Sequence, residues 1–172
     1  MKIAVCGYMG SGKSTVSQLL AEKLKFDFIE LDKEIQKKEN FSISDIFAQK
    51  GEIYFRKKET LVLEETLSHT KKAIISLGGG TPCYGNNLEL LKKDEELKLV
   101  YLKVTPQNLT QRLFKERAKR PLIANLEEEK LEEYVRKHLF ERQFYYLQSD
   151  VIIDANNKTV EDLVAEISKL LD

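Results

Sequence analysis

The sequence has no tryptophan, only three prolines and two cysteines, and a net charge of zero. Each shortage excludes something. Two cysteines, Cys6 and Cys83, are too few for a disulfide framework, so reduced thiols are expected. With 28 basic residues against 28 acidic ones there is no broad basic field, which argues against a nucleic-acid or membrane-surface protein. No apolar run approaches the roughly 18 residues of a membrane span. Met1 to Cys6 runs straight into a glycine loop, without the longer apolar stretch and cleavage site of a signal peptide, so a cytoplasmic location is expected. A chain of 172 residues, 42% of them hydrophobic, fits one α/β domain around one core.

What is present is an alternation of short apolar runs and helical patterns. Five strands are expected, near 2–6, 27–31, 73–77, 97–103 and 150–154. Between them fall helices: one from Lys13 carrying Val16, Leu19, Leu20 and Leu24, a charged one after Asp32, and a short one around Ile46 and Phe47. A longer one follows over 52–69, then one with Leu88, Leu90 and Leu91, a charged one over about 127–148, and a last amphipathic one capped by Thr159. Thr105-Pro106 has the form of a helix start, with threonine capping and proline at the first helical position. The segment Arg117 to Asn125 has little apolar periodicity and is expected as an exposed loop. Alternating strands and helices imply a parallel sheet covered on both faces, a three-layer α/β/α sandwich with ligands at the carboxyl ends of its strands.

Gly7-Tyr8-Met9-Gly10-Ser11-Gly12-Lys13-Ser14 fits G-x-x-x-x-G-K-[ST], after a strand and before a helix. The residue types follow from the chemistry. Gly10 and Gly12 let the backbone curl and aim N–H groups at phosphate oxygens. The helix start adds unpaired N–H groups, Lys13 adds a full charge at the β- and γ-phosphates, and the Ser14 hydroxyl is placed for magnesium.

Such a loop leaves the acceptor open. A guanine-reading switch usually carries Asn-Lys-x-Asp, and the near match Asn157-Lys158-Thr159-Val160 lacks the aspartate. A mechanical ATPase usually ends a later strand in an acidic residue, whereas Ile74-Ile75-Ser76-Leu77 runs into Gly78-Gly79-Gly80. The chain offers instead an acidic pair, Glu30 and Asp32, at the end of its second strand. Residues two apart on a strand share a side, so one carboxylate could reach the magnesium shell while the other takes a proton from an acceptor hydroxyl.

The glycine loop, this acidic pair, Ile46-Phe47 before Gly51-Glu52, Phe55-Arg56, Gly78-Gly79-Gly80 and Arg120-Pro121-Leu122 occur in one order. Together they resemble the shikimate kinase family over nearly the whole chain. The resemblance implies a single P-loop kinase domain, 1–172, with a substrate-binding region about 32–60 and a lid about 112–126. It implies transfer of the γ-phosphate of ATP, with Mg2+, to the 3-hydroxyl of shikimate, giving shikimate 3-phosphate and ADP on the route to aromatic amino acids. ATP would meet Gly10, Ser11, Gly12, Lys13, Ser14, Thr15, Arg112 and Arg120, with Arg112 stacked on adenine. Shikimate would meet Asp32, Arg56, Gly78, Gly79, Gly80 and Arg142, with Phe47 and Phe55 either walling its ring or serving as plain core. Magnesium would be held by Ser14 and by Glu30, directly or through water. Lys13, Asp32 and Arg120 would carry catalysis, on a monomer acting without nucleic acid or membrane.

The physics of the residue types agrees, because guanidinium grips a planar carboxylate in a bidentate way that lysine cannot copy. Gly79 would let backbone N–H groups approach a substrate hydroxyl. Arg117 could substitute for Arg120 within one loop. The spacing after Arg142 is one residue shorter than the family pattern, and a rotated helix would make Arg136 the clamp instead. His69 and His138 have the pattern of surface or helix-end residues, Cys6 of core packing, and the acidic run from Glu127 of a solvated face. A kinase for gluconate or a nucleoside monophosphate, and a non-catalytic nucleotide-binding module, are the rival readings.

Overall fold

The computed structural model describes residues 1–120 and 122–171; Pro121, within the lid motif, and Asp172 lie outside the described residues. Five strands form one parallel sheet: β1 (Lys2–Cys6), β2 (Asp27–Glu30), β3 (Ala73–Ser76), β4 (Leu97–Lys103) and β5 (Val151–Asp154), in the order β2-β3-β1-β4-β5. Seven helices connect and follow them: α1 (Lys13–Leu24), α2 (Leu31–Glu39), α3 (Ile43–His69), α4 (Asn87–Lys93), α5 (Pro106–Glu116), α6 (Glu128–Tyr146) and α7 (Val160–Leu171). The expected α/β/α architecture is the one observed.

β1 is central, hydrogen-bonded to β3 on one side and β4 on the other. That is why Ile3, Ala4, Val5 and Cys6 are apolar without alternation: both faces of this strand are covered. The chain order reverses around β1, so the crevice at its carboxyl end is where a doubly wound sheet receives ligands.

Local chemistry sets the helix boundaries. Thr105 caps α5 by accepting from the Asn108 N–H at 3.3 Å, with Pro106 at the first helical position. Thr159 caps α7 reciprocally: its hydroxyl accepts from the Asp162 N–H, and Asp162 accepts from the Thr159 N–H, both at 3.1 Å. α3 is two helices meeting at Gly51, whose φ of 82° breaks the helical path between Lys50 and Glu52. Two expectations need correction. β2 stops at Glu30 and α2 begins at Leu31, so Asp32 lies in the first turn of a helix and not on the strand. The segment after Arg117 is not a wholly exposed loop either: it opens with a 3-10 turn, Arg117–Lys119, and Ile123 is wholly buried in the core.

Candidate active site

The glycine loop leaves the carboxyl end of β1 and curls through three positive φ angles, 152° at Gly7, 81° at Gly10 and 90° at Gly12. No side chain caps α1 at Gly12, so the first-turn N–H groups remain free to meet an anion. The Lys13 ammonium lies under the loop, donating to the Tyr8 carbonyl at 3.1 Å. Burial there pulls its pKa down to about 8, against the opposing pull of the Asp32 carboxylate. A triphosphate would displace this balance toward the charged form.

Above the loop is a cleft of about 580 Å³, walled by Gly10, Gly12, Lys13, Ser14, Thr15, Glu30, Asp32, Gly78, Gly79, Arg112 and Arg120 among others. Ser11 is not part of that wall. Its side chain is buried and its N–H donates to the Tyr8 carbonyl at 3.1 Å, so it shapes the loop from beneath. At the metal side, the Ser14 hydroxyl donates to Glu30 Oε1 at 3.2 Å, and Glu30 Oε2 pairs with Lys33 at 2.7 Å. A hydroxyl and a carboxylate facing a phosphate cradle form a hard oxygen pair of the kind Mg2+ takes when phosphates and water complete its shell.

Asp32 and the two arginines converge on the glycine run after β3, one on each glycine. A methyl group at Gly78 would stand 2.9 Å from Asp32 Oδ1, one at Gly79 would stand 3.2 Å from Arg142 Nη1, and one at Gly80 would stand 2.7 Å from both Arg56 terminal nitrogens. None of the three glycines has a positive φ. The run therefore leaves room for these three side chains, beside the access to its N–H groups expected from the sequence. Arg136 points elsewhere: it is 63% exposed and pairs with Glu132 on its own helix. Arg142 keeps its place in part because the Tyr146 hydroxyl, one turn on, donates to the Gly79 carbonyl at 2.5 Å.

Arg56 is held by groups the sequence did not single out. Glu59, 1% exposed, accepts from Arg56 Nη1 at 2.8 Å and from the Thr81 hydroxyl at 2.9 Å. Asn87 extends this buried network, accepting from Thr60 at 2.7 Å and donating to the Thr81 carbonyl at 2.8 Å. The guanidinium lies 3.8 Å over the Tyr84 ring and 5.1 Å from Phe55, which stacks on Phe47 at 4.6 Å. Phe55 is core and Phe47 partly so, and both touch the arginine's surroundings. Glu59 was legible only as the residue one helical turn after Arg56; a buried carboxylate and a solvated one look alike in "RKKET". Arg56 Nε is buried without a hydrogen-bond partner among the described residues. Asp32 has its pKa raised, first by burial and then by Glu59, while Lys13 pulls it back.

The two lid arginines separate. Arg120 lines the cleft, paired loosely with Glu116 at 3.7 Å. Arg117 folds back on α5, donating to the Phe114 carbonyl at 3.0 Å and lying 3.8 Å over the Phe114 ring. Arg112 borders the cleft and braces its floor, reaching the Gly10 and Ser11 carbonyls at 3.4 Å and the Ala155 carbonyl at 3.3 Å. Cys83 is half-buried near the arginines, and burial pushes its thiol to about 11, which leaves it unreactive. Cys6 is core, its thiol pushed to about 12 by burial. His69 is exposed as expected, and His138 is half-buried, its ring meeting the Tyr8 hydroxyl at 2.9 Å.

Comparison with known proteins agrees with this geometry. A family model described as shikimate kinase matches residues 9–172. The shikimate kinase of Flavobacterium johnsoniae is 46% identical over 170 residues, covering 99% of this chain and 98% of its own. The crystal structure of shikimate kinase from Bacteroides thetaiotaomicron superposes with a TM-score of 0.91 at 31% identity, covering 99% and 98% of the two chains. The solved structure of the Acinetobacter baumannii shikimate kinase, in complex with shikimate, gives a TM-score of 0.86 at 34% identity, covering 99% and 92%. A phosphate loop under one half of the crevice and arginines on a glycine run at the other are thus carried by a chain that, along nearly its full length, belongs to the shikimate kinase family.

Proposed function

We propose that the protein transfers the γ-phosphate of ATP to the 3-hydroxyl of shikimate, giving shikimate 3-phosphate and ADP. The observation that carries this reading is the meeting of Asp32, Arg142 and Arg56 with three consecutive glycines, the first two of which line the phosphate cleft. Two arginines beside an aspartate suit an acceptor that is both an acid and a polyol.

In this reading the loop N–H groups and Lys13 hold the phosphates, and the lysine gives up the Tyr8 carbonyl as it does so. Arg56 has one terminal nitrogen bound by Glu59 and the other free for the substrate carboxylate, with Arg142 as the second half of the clamp. Asp32 orients the attacking hydroxyl, and its raised pKa suits it to accept the proton late in the transfer. Arg120 neutralises charge spreading over the transferring oxygens, and the lid over about 112–126 excludes water as a competing acceptor. Arg112 is assigned to the base of the nucleotide and residues about 32–60 to the acceptor. Ser14 and Glu30 would hold Mg2+, directly or through water, and when bound the ion supplies positive charge to the β- and γ-phosphates. No described helix is long and apolar enough to cross a membrane. We assign the enzyme to the cytoplasm, as a monomer working on small molecules without nucleic acid.

The test is an ADP-release assay with shikimate, gluconate, nucleoside monophosphates and no acceptor. Release that depends on shikimate alone is expected. Release indifferent to the acceptor, or binding of ATP without turnover, would leave only a nucleotide-binding module.

A further inference from the structure

Tyr8 is the second residue of the phosphate loop, yet its side chain takes no part in the cleft wall. The residue is 1% exposed, and its hydroxyl has one hydrogen-bond partner among the described residues, His138 Nδ1 on α6 at 2.9 Å. The two rings meet edge-on, centroids 5.3 Å apart, and Tyr134, one turn earlier on α6, closes on the other side of His138 at 5.5 Å. His138 and Arg142 stand four apart on the same helix and so share a face.

These contacts join the two halves of the site. On the loop side, the Tyr8 carbonyl receives the Lys13 ammonium and the Ser11 N–H, both at 3.1 Å. On the helix side, Arg142 abuts Gly79. Packing of a buried ring alone would be satisfied by phenylalanine, whereas a buried phenol demands a directional partner. That bond fixes where α6 stands along the loop. Burial, and next the charge of Arg142, hold the His138 pKa below its ordinary value, so the ring is neutral near pH 7; the bond then runs from Tyr8 when the ring proton is on Nε2 and from the ring when it is on Nδ1.

We infer that His138 is a positioning residue: through its bond to Tyr8 it sets the separation between the phosphate loop and Arg142, and so between the transferred phosphoryl group and the acid group of the acceptor. This rests on the kinase reading above. Displacements on the order of 1 Å at such a site cost about a hundredfold in rate, so even a partial loosening is measurable.

The test is a double-mutant cycle. Tyr8→Phe deletes one oxygen, and His138→Phe keeps a ring between Tyr8 and Tyr134. Each is expected to lower kcat/KM for shikimate about tenfold, mainly by raising KM, and the double variant is expected to be no worse than the worse single one. His138→Gln, which retains a hydrogen-bonding group, should recover most of the loss. Single variants at the wild-type value, or losses that multiply in the double variant, overturn the assignment. If His138→Phe does not fold, Tyr8→Phe decides alone, with circular dichroism confirming its fold. Turnover of shikimate by the wild type tests the kinase reading separately. Should that fail, the same cycle is read in the Kd of a non-hydrolysable ATP analogue, where about threefold weakening without additivity is expected and no change overturns the tie.

Discussion

Gly80→Ala isolates the clamp from everything else. Gly80 has φ −89° and ψ −10°, a conformation alanine adopts without strain, so the backbone does not object. The objection is steric: the new Cβ would stand 2.7 Å from Arg56 Nη1 and Nη2 and 3.0 Å from Cζ. Ordinary contact begins at 3.4 Å, so the guanidinium must retreat by several tenths of an ångström. It has little room, with Tyr84 3.8 Å beneath it and Glu59 bonded at 2.8 Å. Retreat stretches the Glu59 bond past useful length and loses most of about 1.5–3 kcal/mol for a charged hydrogen bond. Alanine returns about 0.4–1 kcal/mol by restricting the unfolded chain. The net loss, about 1–2 kcal/mol, lowers Tm by roughly 2–8 °C in a chain of this size. The functional loss is larger, because the same retreat misaligns the fork that receives the carboxylate. The shikimate KM should rise about 10–100-fold, which is about 1.4–2.8 kcal/mol. Nucleotide affinity, measured by titration calorimetry, should stay within about twofold, since Gly80 is not in the cleft wall. A folded Gly80→Ala enzyme with an unchanged shikimate KM would refute the placement of Arg56 in the clamp.

Three further outcomes follow from the site. With its pKa at about 8, Lys13 is about half protonated at pH 8, and a bound triphosphate restores the full charge. Nucleotide binding at pH 8 should therefore take up about half a proton, and near none through this group at pH 6.5, read from calorimetry in buffers of different ionisation enthalpy; equal uptake by Lys13→Met would remove Lys13 as the source. Asp32→Asn keeps the shape but cannot accept a proton, so kcat should fall about 10²–10⁴-fold with the fold intact by circular dichroism, and a loss confined to KM would leave Asp32 as a binding group only. Ile123→Ala should cost about 2–5 kcal/mol if the lid's anchor contributes as core side chains do, and it should raise ADP release without shikimate as water enters; unchanged uncoupled hydrolysis would mean that Ile123 does not secure the lid.

How much of this was legible depended on what each residue shows on its surface. The strands were, because buried parallel strands read as apolar runs without alternation, as Ile3 to Cys6 do. The end of β2 was not. Phe28-Ile29-Glu30-Leu31 continues without a break, and α2 starts with no side-chain cap at Glu30 to announce it. Asp32 still shares the cleft wall with Glu30 and Lys13, because the helix begins at once and its first turn stays at the mouth of the sheet. Ile123 was missed because the short run Leu122-Ile123-Ala124 has no helical or strand period, and nothing in it distinguishes the buried Ile123 from the exposed Leu122 beside it. Glu59, Thr81 and Asn87 were missed because hydrogen-bond partners far apart in sequence leave no local trace. Between Arg120 and Arg117, and between Arg142 and Arg136, the sequence shows no direction, whereas in the structure Arg120 lines the cleft and Arg142 abuts Gly79 while Arg117 and Arg136 turn to Phe114 and Glu132.

The glycines make the same point from within one site. Gly12 and Gly80 are both glycine for reasons of function, but the reasons are disjoint. At Gly12 an added Cβ would meet nothing within 4 Å, and only its φ of 90° forbids a side chain. At Gly80 the backbone forbids nothing, and only the guanidinium of Arg56 does. The loop needs glycine to bend its main chain around phosphate, whereas the run after β3 needs it to leave three gaps that Asp32, Arg142 and Arg56 fill. Those gaps are in rigid register, one residue apart, so the aspartate and both arginines are spaced by the pitch of a single short segment. Because that segment leaves β3 next to β1 in the sheet, its position is tied to the phosphate loop by the hydrogen bonds of the two strands. In the proposed reading the donor cradle and the acceptor cup are thus aligned by the sheet itself, before either ligand arrives.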